Sequence, residues 1–485
     1  MNIPIPPGVF DLIPTDTKES WRSTYLWNYV ESVIRETAVQ YGFQEIRTPL
    51  FERTELFKRG VGETSDIVSK EMYTFDDKGG RSLSLRPEGT APVIRAYIEH
   101  QLYNEAPIHK LYYIAPMFRY ERAQAGRYRQ HHQFGTEVFG NTSPEQDAEL
   151  IDLLYTLYNR LGLTNLQVCL NTIGDASCRI AYRQALQDYL RSSYDQLSKD
   201  SQTRFETNPL RILDSKDAKD REILVQAPTI LDFLNSESKD HFEAVKKLLN
   251  SLKIPYTINP QLVRGLDYYN NTVFEVIAGE LGAQNSIGGG GRYDGLMKTL
   301  GGPDMPGIGF GTGIERIIQT MLKQNVAMPS PNRPTLFIIP LGDEAKAVCF
   351  SILHDLRQHN VAAQMDFSGK KLAKVMQYAN QIGAQFVTVV GDNELKSKQI
   401  ELKEMATGNK MQASIDHLSR ILQVETKAKD FIKIWKEMSQ PFEDPSEAAY
   451  FVKKISQSIE DTKKITQTLE NAVEKIKDLL EDKKN

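Results

Sequence analysis

Cysteine and long apolar runs are scarce in this chain, and each shortage removes a class of protein. Only Cys169, Cys178 and Cys349 occur in 485 residues, at spacings that suit neither a disulfide framework nor a zinc site. They read as buried thiols in a reducing compartment. No run of about 18 apolar residues occurs, so no membrane-spanning helix is expected. The opening MNIPIPPGVFDLIP lacks a charged stretch followed by an apolar one and does not read as a signal peptide. A cytoplasmic protein is the expectation. Charge is nearly balanced, 59 Lys and Arg against 63 Asp and Glu, for a net charge of −4. That balance is silent about a polyanionic partner, because a local basic face can sit on an acidic protein. Low-complexity tracts are missing too, and hydrophobic residues make up 40% of the chain. At about 100–200 residues per domain, roughly two to four packed domains are expected.

What is present has order. Trp21, Tyr25, Tyr29, Val33 and Thr37 recur every four residues, which predicts an amphipathic helix from Thr15 to about Tyr41, stopped by Gly42. FQEIRTPLF reads as an extended segment broken at Pro49. HKLYYIAPMFRYER and HHQFGTEVFG read as two strands separated by the polar turn AQAGRYRQ. A helix is expected from about Pro144 to Leu161. Residues 175–255 read as charged helices, and strand signals then resume in NPQLVRGLDYYNNTVFEVIAG. The helical stretch is therefore expected as an insertion within one β-rich unit spanning residues 1–325. VAMPSPNRP, at 326–334, suits a linker. Beyond it, TLFIIPLG, VAAQMDF, QFVTVVG and QIELKEM alternate with helical patterns, predicting a small α/β domain of mostly parallel strands over 335–423. Residues 424–485 are Lys- and Glu-rich, with apolar spacings that broadly fit helices, and no role follows from them.

Arg119 in MFRYER, Arg264 in LVRGLDYY and Arg316 in TGIERI sit in three separate motifs. Each guanidinium is a permanent cation whose planar fork suits phosphate oxygens, although a lone arginine is more often surface or salt-bridged. In GIGFGTGIERI, Gly307, Gly309, Gly311 and Gly313 alternate with larger residues, so one face of a strand would be bare. Such a face admits either a flat ligand or another backbone. His131 and His132 are adjacent, which on a strand sends them to opposite faces and makes them poor joint metal ligands. No metal held by protein side chains is expected.

These motifs together resemble the class II aminoacyl-tRNA synthetases. RTPLFERTELF resembles motif 1, FRYER with HHQFGTEVFG motif 2, and GIGFGTGIERI motif 3. LRPEGT, LVRGLDYY and GGGGRYDGL are similar to signatures of the histidyl-tRNA synthetase family, in the expected order from about Pro6 to about Leu422. The resemblance implies an α+β fold, with an antiparallel sheet flanked by helices, a helical insertion and a C-terminal α/β anticodon-binding domain. It also implies a homodimer formed partly through motif 1, ATP with Mg²⁺ as substrate, and histidine and histidine tRNA as partners.

By the same resemblance, Arg119 would hold the ATP α-phosphate, with Arg264 beside it where other class II enzymes place a magnesium ion. Glu121, Arg127 and Arg316 would contact adenine and phosphates. Glu88, Thr90 and Gln133 would hold the amino and carboxylate groups of histidine, and Glu137, Tyr268 and Tyr269 would surround its imidazole. Lys370, Lys371 and Lys374 in the C-terminal domain are candidates for phosphate contact. The main rival is a non-catalytic relative that regulates histidine biosynthesis, which usually lacks the C-terminal domain and parts of LVRGLDYY.

Overall fold

The computed structural model describes residues 3–63, 65–121, 127–264, 268–279 and 286–423; the tail beyond Gln423 lies outside them. Its contacts divide into two compact units, Met1–Pro331 and the chain from Asn332 onward.

The first unit contains strands Gln44–Glu45 (β1), Phe51–Arg53 (β2), Thr74–Asp76 (β3), Ser82–Leu85 (β4), His109–Phe118 (β5), Gln130–Phe139 (β6), Leu166–Thr172 (β7), Tyr256–Ile258 (β8), Asn270–Ala278 (β9), Ser286–Arg292 (β10) and Gly307–Gly313 (β11). Eight of them form a sheet in the order β1-β5-β6-β11-β10-β9-β7-β8, and a small sheet has the order β2-β4-β3. The central pairs β5–β6, β6–β11, β11–β10, β10–β9 and β9–β7 are antiparallel.

One face of this sheet is covered by helices Thr24–Gln40 and Pro144–Arg160. Ile308 and Phe310 of β11 share a core with Val30 and Ile34 of the first helix and Leu150, Leu154 and Leu157 of the second. The first helix begins at Thr24 rather than Thr15. Before it, the chain is held by Asp16, whose carboxylate accepts the N–H groups of Lys18 (2.8 Å) and Glu19 (2.9 Å), a local bond that competes with helix. Its buried face is Leu26, Trp27, Val30, Ile34, Thr37 and Ala38, because a repeat of four drifts around a helix of 3.6 residues per turn. Gly42 follows the helix at φ +80°, the left-handed position expected of a stop.

Between β7 and β8, which pair in parallel, lies the helical stretch. It contains helices Ala176–Arg191, Lys199–Thr207, Ala218–Leu224 and Ser236–Ser251, with a core of its own that includes Tyr182, Leu186, Phe205 and Ile212. Strand β7 and the small sheet have no counterpart in the sequence reading. Cys178 and Cys349 are buried, but Cys169 on β7 is only half-buried, because it sits toward one edge of the sheet.

The second unit has strands Leu336–Pro340 (β12), Ala363–Met365 (β13), Phe386–Val390 (β14), Gln399–Glu404 (β15) and Lys410–Ser414 (β16), in the order β13-β12-β14-β15-β16. The three strands linked by helices Asp343–Gln358 and Leu372–Gln381 are parallel, but β15 and β16 run antiparallel. The sheet is therefore mixed rather than mostly parallel, because the short turn between β15 and β16 allows only a hairpin.

Candidate functional site

Opposite the helix-covered face, the glycines of β10 and β11 leave the sheet bare. A Cβ on Gly309 would lie 2.3 Å from Glu137 Oε2, one on Gly311 2.1 Å from Gln133 Nε2, and one on Gly289 2.8 Å from Arg264 Nη1. Neighbouring strands thus send functional side chains across ground that other residues would occupy. The bare face admits ligand-facing groups, while Ile308 and Phe310 on the other side satisfy the helices.

Over this floor lies a cavity of about 480 Å³. Arg119, Arg264 and Arg316, far apart in sequence, all line it, as do Glu88, Thr90, Glu121, Arg127, Gln133, Tyr268 and Tyr269. The cations are oriented by their own bonds. Arg119 Nε donates to Pro87 O (2.8 Å), Arg127 Nη1 to Glu121 Oε2 (3.0 Å), Arg264 Nη1 to Glu275 Oε1 (2.5 Å) and Arg316 Nη1 to Ser286 O (2.6 Å). Each bond fixes one edge of a guanidinium that carries five N–H donors in all. Arg264 also lies 5.9 Å from the centre of the Tyr269 ring.

At the polar end, the Glu88 carboxylate accepts the N–H groups of Thr90 (2.7 Å) and Ala91 (3.0 Å). It thereby caps helix Thr90–Glu99. Burial nevertheless raises its carboxyl above the ordinary range, opposed by those bonds. Gln133 Nε2 donates to the Tyr113 hydroxyl (3.1 Å).

Glu137 takes a different place from its neighbours. It is not in the cavity wall but one layer beneath it, 1% exposed. Its Oε1 accepts from Thr90 Oγ1 (2.8 Å), and its Oε2 accepts from the Tyr293 hydroxyl. Burial raises it to about 8, against the pull of the Tyr293 and Thr90 hydroxyls, so it keeps a proton at neutral pH. Above it, the rings of Tyr268, Tyr269 and Tyr293 pack together, Tyr268 lying 4.7 Å from Tyr269 and 5.6 Å from Tyr293.

The full match of residues 18–317 is to the family model described as histidyl-tRNA synthetase, and residues 335–425 match the anticodon binding domain. A protein of Protochlamydia amoebophila named histidine–tRNA ligase is 68% identical over 422 residues, covering 87% of this chain and all of that protein. The chain belongs to the histidyl-tRNA synthetase family. A second relative of the same name, from Caldanaerobacter subterraneus, is 46% identical over 86% of this chain and 98% of its own length. The crystal structure of apo histidyl-tRNA synthetase from S. aureus superposes with a TM-score of 0.73 at 38% identity, covering 87% of this chain and all of that one. Neither family match extends past residue 425.

Several cavity residues of this family member escape a reading of its motifs. His131 lines the cavity while its neighbour His132 bonds Glu315 Oε1 through Nδ1 (3.0 Å). Desolvation and the Arg119 charge push His131 down to about 3, so it is a neutral imidazole. Glu275 reaches the wall because β9 pairs it with Gly289. Glu315, adjacent to Arg316, lines the wall with Oε2 unpartnered among the described residues. Asp214 and Lys216 come from the helical insertion, where nothing in the local sequence marks them.

In the second unit, Lys370 and Lys374 line a groove of about 750 Å³ with Phe367 and Tyr378, whereas Lys371 does not.

Proposed function

We propose that this protein activates histidine with ATP as histidyl-adenylate and transfers the histidyl group to histidine tRNA, releasing pyrophosphate and AMP. The observation that carries the reading is the convergence of Arg119, Arg264 and Arg316 on one cavity that Glu88, Thr90, Tyr268 and Tyr269 also line.

The nucleophile of the first step is the substrate's own carboxylate, ionised at neutral pH, so no strong base is required. The obstacle is repulsion between that anion and the α-phosphate. Arg119 and Arg264, both in the cavity wall, offset it and stabilise the charge that develops as the P–O bond to pyrophosphate breaks. Arg264 is held at the wall by Glu275 and lies against the Tyr269 ring. Arg316, Arg127 and Glu121 hold the rest of the nucleotide. Mg²⁺ arrives with ATP. Glu121 and Glu275, each with one oxygen on an arginine, are the wall carboxylates that would hold it, and it would supply positive charge against the phosphates. In the second step a ribose hydroxyl at the tRNA end attacks the adenylate carbonyl and AMP departs.

Glu88, Thr90 and Gln133 orient the amino and carboxylate groups. Tyr268 and Tyr269 flank the imidazole, and Glu137 supports them from below. Neutral imidazole has one donor and one acceptor nitrogen, which the tyrosine hydroxyls can meet. A site built on such bonds rejects analogues lacking them by about 10⁴–10⁵.

The groove at Lys370 and Lys374 suits the anticodon. Exposed Leu50, Phe51 and Phe75 on and beside the small sheet, with the two phenylalanine rings 6.4 Å apart, favour a homodimer through motif 1, which light scattering would show as twice the chain mass. The place of action is the cytoplasm, tested by cell fractionation. The deciding experiment is ATP–pyrophosphate exchange with each of the twenty amino acids. Exchange driven by histidine alone is expected; none with any would favour a non-catalytic relative.

A further inference from the structure

The mechanism leaves unused the two cavity residues supplied by the helical insertion. Asp214 and Lys216 flank Ser215 in a turn after the short helix Pro209–Asp214. This turn is pinned from several sides. The Ser215 hydroxyl donates to Asp220 (2.5 Å), a buried carboxylate that also accepts the Ser198 N–H (2.8 Å), the Ser198 hydroxyl (2.7 Å) and the Ser201 hydroxyl (2.6 Å). Arg221 Nε donates to Ser215 O (3.2 Å). Ile212 and Leu213, just before the turn, are buried. A carboxylate that gathers so many donors holds its segment in one arrangement.

A second set of bonds ties this part of the insertion to the segment after motif 1. Asp66 Oδ2 lies 3.1 Å from Arg204 Nη2 and 3.7 Å from Arg211 Nη2, and Arg204 Nη1 donates to Arg211 O (3.2 Å). The turn at 214–216 therefore reaches the cavity on a braced arm.

We infer that Lys216 is a substrate-binding residue for the β- and γ-phosphates of ATP, the pyrophosphate that leaves, and that Asp220 is the positioning residue that aims it. Two observations and the nature of the lysine side chain favour this part of the nucleotide. Lys216 is an exposed residue in the wall, whereas Glu88, Thr90 and Tyr269 are buried, so it stands at the open side by which the leaving group must depart. Its ammonium has no ion-pair partner among the described residues, whereas Arg127 and Arg264 are each bonded to a carboxylate. A point charge on a flexible four-carbon stem suits a terminal phosphate that must be released, where a bidentate arginine would hold it.

This inference rests on the adenylate-forming reading, and wild-type exchange with histidine tests that reading first. Given such exchange, Lys216→Ala is expected to raise KM for ATP and for pyrophosphate by about tenfold or more, the scale of one charge-assisted contact. Its affinity for a non-hydrolysable histidyl-adenylate analogue, which lacks those phosphates, should stay at the wild-type value. Lys216→Arg should recover most of the loss. Lys219→Ala, on the same exposed segment but outside the cavity wall, should change nothing. Three outcomes overturn the inference: unchanged KM for ATP and pyrophosphate in Lys216→Ala, equal loss of affinity for the adenylate analogue, or an effect confined to KM for tRNA. The last would assign Lys216 to the tRNA end instead. A wild-type protein without histidine-dependent exchange would remove the underlying reading as well.

Discussion

Gly309 and Glu137 face each other in register across β11 and β6, and a methyl group on Gly309 would stand 2.3 Å from both Glu137 Oε2 and Thr136 O. One neighbour is a side chain already bonded on both oxygens, and the other is backbone, so neither can withdraw freely. Gly309→Ala is expected to destabilise the protein by about 1–3 kcal/mol, the usual scale of overpacking. It should weaken histidine binding more than ATP binding. Calorimetric titration with each ligand, beside a thermal melt, checks both effects.

Arg264→Ala removes a donor from the proposed transition state and leaves Glu275 without its partner. Histidine-dependent exchange is expected to fall by about 10²–10³. Near-normal exchange in a folded variant would remove Arg264 from the mechanism.

Glu137 titrates in the physiological range because burial lifts it to about 8 from an ordinary 4.5. Between those values the folded state holds a proton that the unfolded chain has released. Its contribution to stability is thus complete below about pH 4.5 and is lost as pH rises through 8. Without ligand, the wild type should lose stability relative to Glu137→Gln across pH 5–8, by at most about 1.4 kcal/mol per pH unit. Urea unfolding of both proteins measures the difference, and parallel curves would contradict it. Glu137→Ala should in addition weaken histidine binding, read as a raised Kd.

Asp220→Ala strips the acceptor from three serine hydroxyls and one N–H. Hydrogen exchange should speed up around Ser198–Ser215, and KM for ATP should rise as in Lys216→Ala, with affinity for the adenylate analogue retained. Asp220→Asn, which keeps an acceptor oxygen, should fall between.

Both family matches end by residue 425, and Leu418 and Leu422 are buried in the core of the second unit. Truncation after Gln423 is expected to leave histidine charging of tRNA largely intact. Loss of charging in a folded truncation would give the removed residues a role in catalysis or tRNA binding.

Local sequence was a good guide where the signal is itself local. The hairpin β5–β6, the helix from Pro144 and the left-handed Gly42 each follow from patterning within a few residues. The motif arginines were legible for a related reason: Arg119, Arg264 and Arg316 lie in short stretches whose combination is specific. Strand β7 was missed although Leu166, Val168 and Leu170 alternate with Gln167 and Cys169, because so short a run is a weak signal on its own. It becomes a strand through pairing with β9 and β8, distant in the chain.

Sequence alone determined which residue types are available, where the strongly patterned helices and strands lie, and that four glycines would bare one face of β11. Tertiary structure alone decided what fills that face. Register between strands put Glu137 and Gln133 over Gly309 and Gly311, and it brought Glu275 beside Gly289. Burial turned Glu137 into a proton-holding acid below the wall. A folded insertion carried Lys216 to the cavity, although no motif marks it. The physical reason is that desolvation and cross-strand proximity are properties of neighbours in space, and a linear pattern records only neighbours in the chain.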